Sequence, residues 1–310
     1  MLPISQFASD MLQALSAQPR SIAPKYFYDE EGSRLFDDIC ALEEYYPTRT
    51  ETALLQARAV EIAAHMGPGV DLVEFGAGAM TKVRILLPAM QNPTRYLPID
   101  ISGDYLESAA KPLRAQFSGL RIEPFVADYS LGLSLPESPA GTQKRVGFFP
   151  GSTIGNYTPT EAVAFFKMAA GVLRGGALLV GADLIKEPAT LHAAYSDAKG
   201  VTAAFNLNLL ARANRELGTD FDLAQFAHSA FYNAPMQRIE MHLMSRCRQT
   251  VTLNGKRFDF EEGETLHTEN SYKFTVEGLR NLAGQAGFTA GPVWLDADRK
   301  FSLHWLNSPV

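Results

Sequence analysis

The chain has 310 residues, the size of one large domain or of two. Apolar residues make up 46% and charged residues 20%, which is typical of a folded globular protein and not of a disordered or fibrous one. The 28 Lys and Arg residues against 34 Asp and Glu give a net charge of −6. Because a nucleic-acid binder needs a basic surface, we expect no nucleic-acid partner.

Several other classes of protein are disfavoured by features that the sequence lacks. Cys40 and Cys247 have no metal-binding or redox spacing, so we expect no disulfide scaffold and a reducing, cytoplasmic location. No apolar run approaches the roughly 18 residues of a membrane span, and residues 1–13 do not have the pattern of a secretory signal. The six histidines are scattered without a ligand motif, so we expect no protein-held catalytic metal.

Residues 1–49 are mixed in character and rich in aromatic residues towards their end. One short amphipathic helix is predicted there by apolar residues at helical spacing, Leu35, Phe36, Ile39 and Leu42. We expect the two tyrosines before Pro47 to break this helix, since the residue that precedes a proline avoids the helical conformation.

Residues 70–184 alternate short apolar runs with helical patterns. The predicted strands are VDLVEF, RYLPID, RIEPFVAD, KRVGFF and GALLVGADL. The predicted helices between them are TKVRILLPAM, GDYLESAAKPLRAQF and PTEAVAFFKMAAGVLR. Apolar strands that alternate with helices are typical of a parallel sheet buried on both faces, so this segment is predicted to be an α/β fold.

Residues 186–273 interrupt this alternation. A predicted helix, GVTAAFNLNLLARANREL, is followed by period-2 stretches around an Asn-Gly pair, which indicates antiparallel strands in a small separate sheet. Residues 274–310 return to the main pattern with a helix and two strands. These last strands are predicted to form a hairpin that ends an otherwise parallel sheet.

The sequence EFGAG places Gly76 and Gly78 directly after the first predicted strand. Glycines at this point let a ligand approach the backbone, and ligands of such sheets bind beyond the carboxyl ends of the strands. A tight turn between strand and helix is the alternative interpretation. The third glycine of the dinucleotide fingerprint is absent, which disfavours an NAD-dependent oxidoreductase.

Acidic residues end the next two predicted strands. Asp100 could accept both hydroxyls of a ribose, and Asp128, followed by Tyr129, could accept from an adenine amine. Each aspartate alone could equally be a solvated turn residue. Together with the glycine turn, they predict a nucleoside pocket without a phosphate clamp.

A nucleoside pocket of this kind suits S-adenosylmethionine, whose tail is a zwitterionic amino acid. Lys82, at the start of the following helix, could pair with the tail carboxylate, although a surface lysine is the alternative. Glu74 lies near the expected position of that tail, with its role open. After the fourth strand, Asn156 follows an open turn with glycines at 151 and 155, where it could either hydrogen-bond a ligand or serve the turn.

At this point the sequence resembles the histidine-specific methyltransferases of ergothioneine biosynthesis. The segments that carry the resemblance are KYFYDEEGSRLFDDICALEEYYPTRTE, VEFGAG, IGN, AYSDAKGVTAAFN, RIEM and LHTENSYKF. It extends from about residue 20 to the end of the chain. Members of this family transfer three methyl groups from S-adenosylmethionine to the α-amine of L-histidine, which gives hercynine.

The resemblance implies a class I methyltransferase core, which is a Rossmann-like, mostly parallel sheet with a C-terminal antiparallel hairpin. It places this core in residues 50–185 and 274–310. Residues 1–49 and 186–273 are expected to form a smaller α+β substrate-binding domain, with the active site between the two. We expect a monomer without a membrane partner.

The resemblance also implies roles for individual residues. The residues similar to the family's S-adenosylmethionine contacts are Gly76, Lys82, Asp100, Asp128 and Tyr129. Those similar to its substrate contacts are Asn156 and Tyr195 for the carboxylate, Tyr28 for the amine, Tyr45, Glu269 and Ser271 for the imidazole, and Met241 for the side-chain pocket. Of these, Tyr28 and Asn156 are the expected catalytic residues.

The spacing of Glu269 and Ser271 is consistent with these roles. Residues two apart on an extended strand point to the same side, so both could contact one imidazole ring. The sequence departs from many relatives in the alanine of its GAG turn, in Tyr129, and in Asn270 and Tyr272 beside Ser271. Two alternatives stay open, which are methyl transfer to another amino acid or amine and a binding protein without turnover.

Overall fold

The computed structural model describes residues 5–310, and the first four residues of the segment expected not to be a secretory signal lie outside this range. The chain divides into two compact units. The insert unit comprises the chain up to Tyr46 together with Lys186–Ser271, and the core unit comprises Pro47–Ile185 and Tyr272–Val310. No helix of the described chain is long and apolar enough to cross a membrane.

The helices and strands follow one another along both units. In chain order they are α1 (Gln6–Ser16), β1 (Arg20–Ser21), α2 (Glu30–Cys40), α3 (Tyr46–Met66), β2 (Val70–Phe75), α4 (Val83–Leu86), β3 (Arg95–Asp100), α5 (Gly103–Gln116), β4 (Phe125–Val126), β5 (Lys144–Phe149), α6 (Pro159–Val172), β6 (Ala177–Asp183), α7 (Pro188–Tyr195), α8 (Val201–Leu217), β7 (Phe226–Asn233), β8 (Arg238–Ser245), β9 (Gln249–Leu253), β10 (Lys256–Phe260), β11 (Thr265–Tyr272), α9 (Val276–Gly284), β12 (Thr289–Leu295) and β13 (Phe301–Asn307).

The core unit contains one sheet in the order β12-β13-β6-β5-β2-β3-β4. The strands from β6 to β4 are parallel, and β13 pairs antiparallel with both β6 and β12. This arrangement confirms the predicted class I methyltransferase fold with its C-terminal hairpin. All residues of β2 and β6 are buried, which explains why apolar residues predominate in both strands. The strand order reverses between β2 and β5, and ligands of doubly wound sheets bind at such a point.

The insert unit contains a second sheet, in the order β1-β11-β8-β7, and the hairpin of β9 and β10. The pairs β7–β8 and β9–β10 are antiparallel, which agrees with the period-2 pattern. Asn254 and Gly255 join β9 to β10 with φ values of +50° and +75°, as a two-residue hairpin turn requires. One face of α8 is buried in this unit through Phe205, Leu209, Leu210 and Ala213.

Three local predictions differ from the structure, and each concerns a segment at or near a proline. Helix α2 already ends at Cys40, and Pro47 lies in the first turn of α3, where its missing N–H costs nothing. The strand predicted over RIEPFVAD is reduced to β4 and a bridge at Ile122, since Pro124 cannot donate to a ladder. The helix predicted over TKVRILLPAM is reduced to α4 and a 3₁₀ turn that contains Pro88.

The unit boundaries differ from the expected ones by at most three residues. The core unit begins at Pro47 instead of residue 50 because nearly all of α3 belongs to it. Its second segment begins at Tyr272, the last residue of β11, instead of residue 274.

A buried ion pair stabilises the amino-terminal edge of the core sheet. Arg95 donates two hydrogen bonds of 2.9 Å to the Asp71 carboxylate, and Arg145 Nε donates a third of 3.0 Å. Asp71 is fully buried and Arg95 is 2% exposed. Burial would raise the pKa of Asp71, but the hydrogen bonds from Arg95, Ser138 and Arg145 hold it below its usual value. The carboxylate therefore stays charged inside the fold.

We expect Asp71→Ala to lower the free energy of unfolding by about 3–5 kcal/mol, because it removes the buried carboxylate that Arg95 and Arg145 share and leaves Arg95 paired only with the partly exposed Glu123. Urea denaturation followed by circular dichroism measures this loss. Asp38→Ala, which breaks an exposed pair with Arg34, is the control and should have little effect. Equal losses in the two variants would contradict the prediction.

Candidate active site

A glycine turn follows β2 at the carboxyl edge of the core sheet. Gly76 and Gly78 have φ values of +70° and +48°, a left-handed conformation that glycine adopts without steric cost. The N–H groups of Gly76 and Ala77 donate to the carbonyl oxygen of Ile99 at 2.9 and 3.0 Å. A Cβ at position 76 would lie 3.2 Å from the hydroxyl oxygen of Tyr129. These hydrogen bonds thus hold the turn against β3, and the short distance to Tyr129 favours glycine at position 76.

Asp100 lies at the end of β3, directly beside this turn. Its two carboxylate oxygens accept from the N–H groups of Gly78 and Ser102, both at 3.1 Å. The structure therefore brings Gly76, Gly78 and Asp100 together, as the sequence suggests. A carboxylate oxygen has two lone pairs, so Asp100 can still accept hydrogen bonds from the hydroxyls of a ligand.

Asp128 and Tyr129 lie just beyond β4. The sequence predicts that Asp128 ends this strand. In the structure the strand ends at Val126, so Asp128 lies two residues beyond it. Its carboxylate caps a short 3₁₀ turn by accepting from the Ser130 N–H at 3.0 Å. The Tyr129 ring packs against aromatic rings of the neighbouring strands and helix, with centroid distances of 5.9, 6.3 and 6.0 Å to Phe75, Phe149 and Phe165.

Lys82 pairs with an acidic residue that sequence reasoning missed. Its Nζ atom lies 2.5 Å from Oε2 of Glu51, which is fully buried in α3. Both carboxylate oxygens of Glu51 also accept from the Gly151 N–H, at 3.0 and 2.9 Å. Lys82 is 15% exposed and so is not the surface lysine of the alternative interpretation. Since these partners are 31 and 100 residues from Glu51, no local sequence pattern could reveal them.

Glu74 is a second buried acid in this region, with 1% exposure. The Tyr96 hydroxyl donates to its carboxylate. Burial raises the pKa of Glu74 to about 8, against the lowering effect of Tyr96 and Lys82, while Glu51 and Asp100 raise it further. Glu74 therefore keeps its proton over much of the neutral range.

In the insert unit, the structure brings together five of the predicted substrate residues. The Tyr195 hydroxyl and Ser271 Oγ lie 2.6 Å apart, and Glu269 and Ser271 point to the same side of β11. The Tyr45 ring lies 6.2 Å from that of Tyr195. Burial raises the pKa of Tyr45, and Tyr195, Glu269 and Tyr28 are among the groups that raise it further. These residues form a largely buried polar cluster, which we call the tyrosine cluster.

The other predicted substrate residues have clear local positions. Met241 is 2% exposed on β8, and its carbonyl oxygen accepts from Thr268 of β11 at 3.0 Å. Asn156 belongs to the core unit, where it ends the 3₁₀ turn Thr153–Asn156 after β5. A Cβ at Gly155 in this turn would lie 2.9 Å from the Tyr272 carbonyl oxygen, so the close backbone approach requires glycine.

Two histidines that appear scattered in the sequence meet in the insert unit. The rings of His242 and His267 stack at 4.6 Å, and His267 Nε2 donates to the Glu269 carbonyl oxygen at 3.0 Å. His242 Nε2 lies 3.1 Å from the Glu240 carboxylate. Burial raises the pKa of Glu240, but hydrogen bonds, chiefly the one from Arg238, outweigh burial and lower this pKa to about 2. Burial lowers the pKa of both histidines. Glu240, His242 and His267 have the donor types of a metal site, so the expected absence of a catalytic metal stays a prediction.

Glu74 should make stability depend on pH between about 4.5 and 8. The unfolded chain loses this proton near pH 4.5, whereas the folded chain keeps it up to about pH 8. The stabilisation is therefore complete below pH 4.5 and is lost as the pH rises through 8.

In Glu74→Gln the side chain is neutral at every pH, so this loss should be absent. The free energy of unfolding of the native chain, relative to that of the variant, should fall as the pH rises, by at most about 1.4 kcal/mol per pH unit. Urea titrations at several pH values measure it. A difference that does not change with pH would contradict the assignment.

Comparison with known proteins agrees with this geometry. A family model described as histidine-specific methyltransferase, SAM-dependent, matches residues 7–308. The chain is 42% identical to histidine N-alpha-methyltransferase of Mycolicibacterium smegmatis and 40% identical to that of Mycobacterium tuberculosis, with 95% of this chain and 92% of each relative covered. It is 28% identical to ergothioneine biosynthesis protein 1 of Neurospora crassa, over 93% of this chain and 33% of that protein.

Proposed function

Since the chain belongs to the histidine-specific, S-adenosylmethionine-dependent methyltransferases, we propose that it trimethylates the α-amine of L-histidine to hercynine, in ergothioneine biosynthesis. The observation that carries the choice of substrate is the tyrosine cluster. It offers a buried carboxylate and a buried hydroxyl on one face of β11, which suits the two nitrogens of an imidazole. A pocket built to hydrogen-bond a polar ring discriminates against amino acids that lack one.

The carboxyl edge of the core sheet fits S-adenosylmethionine. The backbone of the glycine turn, at Gly76 and Gly78, permits the cofactor to approach closely. Asp100 can accept from the ribose hydroxyls, and Lys82 can donate to the tail carboxylate. Asp128 and Tyr129 are proposed to contact the adenine. When bound, the cofactor supplies a methyl group on a sulfonium that leaves as a neutral thioether.

The remaining residues are proposed to hold the amino acid. Glu269 accepts from one imidazole N–H, and Ser271, fixed by Tyr195, serves the other nitrogen. Tyr45 packs beside them, and Met241 lines the side-chain pocket. Asn156 and Tyr195 hold the carboxylate of the substrate, so that the ring end and the carboxylate end are both fixed.

Positioning is the main contribution of the protein to the rate in this mechanism. The α-ammonium must lose a proton before its lone pair can attack, and Tyr28 is proposed to orient the resulting amine. Holding the nitrogen and the methyl carbon near attack distance lowers the barrier without a strong base. After each transfer the methylated ammonium loses a proton to solvent, and rotation of the amine then permits the next of three successive transfers.

We also propose that the chain acts in the cytoplasm as a monomer without a nucleic-acid or membrane partner. Cys40 and Cys247 are the only two cysteines of the sequence and have no metal-binding or redox spacing, which fits a reducing compartment.

Mass spectrometry of the reaction products tests the proposed function. The purified chain is incubated with S-adenosylmethionine and, separately, with histidine and with other amino acids and amines. Histidine that gains one, two and then three methyl groups is the expected result. Methylation of another compound in preference to histidine would favour the alternative substrate, and tight binding without turnover would favour a non-catalytic protein.

Glu269→Ala should raise the KM for histidine by about 10–100-fold, because it removes a buried acceptor of an imidazole hydrogen bond. The affinity for S-adenosylmethionine, measured by calorimetry, should change far less. Glu262→Ala, at an exposed position shortly before β11, is the matched control and should leave both unchanged. Equal losses for histidine and cofactor in a folded Glu269→Ala variant would contradict the proposed division of roles.

Asp100→Ala should show the opposite pattern. Loss of the carboxylate removes the acceptor for the ribose hydroxyls, so the KM for S-adenosylmethionine should rise by about 10–100-fold while that for histidine stays near the native value. Steady-state kinetics with either reactant varied measures both. Asp104→Ala, exposed in the first turn of α5, is the control. A variant that binds the cofactor normally would disprove the ribose contact.

A further inference from the structure

Glu51 is a charged side chain placed where charge is costly. It is fully buried in α3, and a carboxylate removed from water destabilises a fold unless it is compensated. Here the Lys82 ammonium at 2.5 Å and the Gly151 N–H at 2.9 and 3.0 Å supply the compensation. The acid therefore bridges α3, the residue that precedes α4 and the turn after β5.

The surrounding backbone leaves space for this carboxylate. A Cβ at Gly181, on β6, would lie 2.1 Å from Oε1 of Glu51, so any larger residue would collide with it. Gly151 has a φ of +81°, and a Cβ there would lie 3.4 Å from Lys82 Nζ. Glycines of two neighbouring chain segments thus make room for the ion pair.

The bridge fixes Lys82 at the carboxyl edge of the sheet. An ammonium has three N–H donors and Glu51 takes one of them, so the others can donate to a ligand. Gly151 follows β5 and Lys82 follows β2, the two strands between which the strand order reverses. This is where the fold class binds its ligands.

We propose that Glu51 is a positioning residue that holds Lys82 for the carboxylate of the cofactor's amino-acid tail, a role that rests on the proposed function. The neighbouring Glu74 does not supply the same charge, because burial raises its pKa to about 8. Glu51 is then the buried counter-ion that fixes the position of the Lys82 ammonium, and Lys82 makes the contact with the ligand.

Two probes separate this role from a purely structural one. S-adenosylhomocysteine has the amino-acid tail, and methylthioadenosine has the same nucleoside without it. In Glu51→Gln, which keeps the shape but loses the charge, the affinity for S-adenosylhomocysteine should fall by at least about tenfold while that for methylthioadenosine stays near the native value. Isothermal titration calorimetry measures both, and Lys82→Met should show the same selectivity.

Asp71→Asn is the matched control, since it makes the same acid-to-amide change at a buried ion pair near the opposite end of β2. It should leave both affinities unchanged. Equal weakening of both probes in Glu51→Gln would mean that Glu51 only supports the fold, and unchanged or tighter binding of S-adenosylhomocysteine would mean that it does not position Lys82. Either result overturns the proposal.

Two further results complete the test. If the native chain bound neither probe, the proposed function itself would fail. If the native chain bound the probes but the variant showed none of the expected change, only the proposed role of Glu51 would fail. If Glu51→Gln did not fold, Glu51→Asp would replace it. This variant keeps the charge but shortens the side chain by one methylene. It should therefore lose affinity for S-adenosylhomocysteine selectively, but by less than Glu51→Gln.

Discussion

The common direction of the core strands is the constraint on which the cofactor region depends. Strands β2, β3 and β5 are parallel, so the loops that follow them all emerge at one edge of the sheet. Their interiors are buried on both faces and so are largely restricted to apolar residues. Polar groups for a ligand are consequently concentrated beyond the carboxyl ends of the strands, where the glycine turn, Asp100 and Lys82 are found.

In the insert unit, the alternation of side chains along β11 likewise decides which polar groups lie together. Glu269 and Ser271 share one face, while Thr268, on the other face, bonds to Asn206 and to the carbonyl oxygen of Met241. His267 further binds the Glu269 carbonyl oxygen. Side-chain hydrogen bonds on both faces therefore hold the backbone that carries the proposed imidazole contacts, and a strand held in this way can position its side chains accurately.

Periodicity and turn chemistry in the sequence predict most of the core strands and the Asn-Gly hairpin. The residues of the candidate site differ in how much the sequence alone indicates about them. The order of the strands alone places Gly76 and Asp100 at one edge of the sheet, whereas the proposed roles of Glu269 and Ser271 come from the family resemblance. Glu51 could not be found at all, because its significance comes from contacts with distant residues that pattern reasoning does not bring together. The two-residue strand β1 is equally invisible, since pairing and not propensity defines it.

The contact between Gly181 and Glu51 has a consequence for how sequences of this kind can vary. Any side chain at position 181 would overlap the carboxylate, and loss of the carboxylate would leave the space beside Gly181 unfilled and Lys82 without its counter-ion. Neither position can therefore change alone at low cost. The two residues, one in a helix and one in a strand 130 positions later, are expected to co-vary as a single unit.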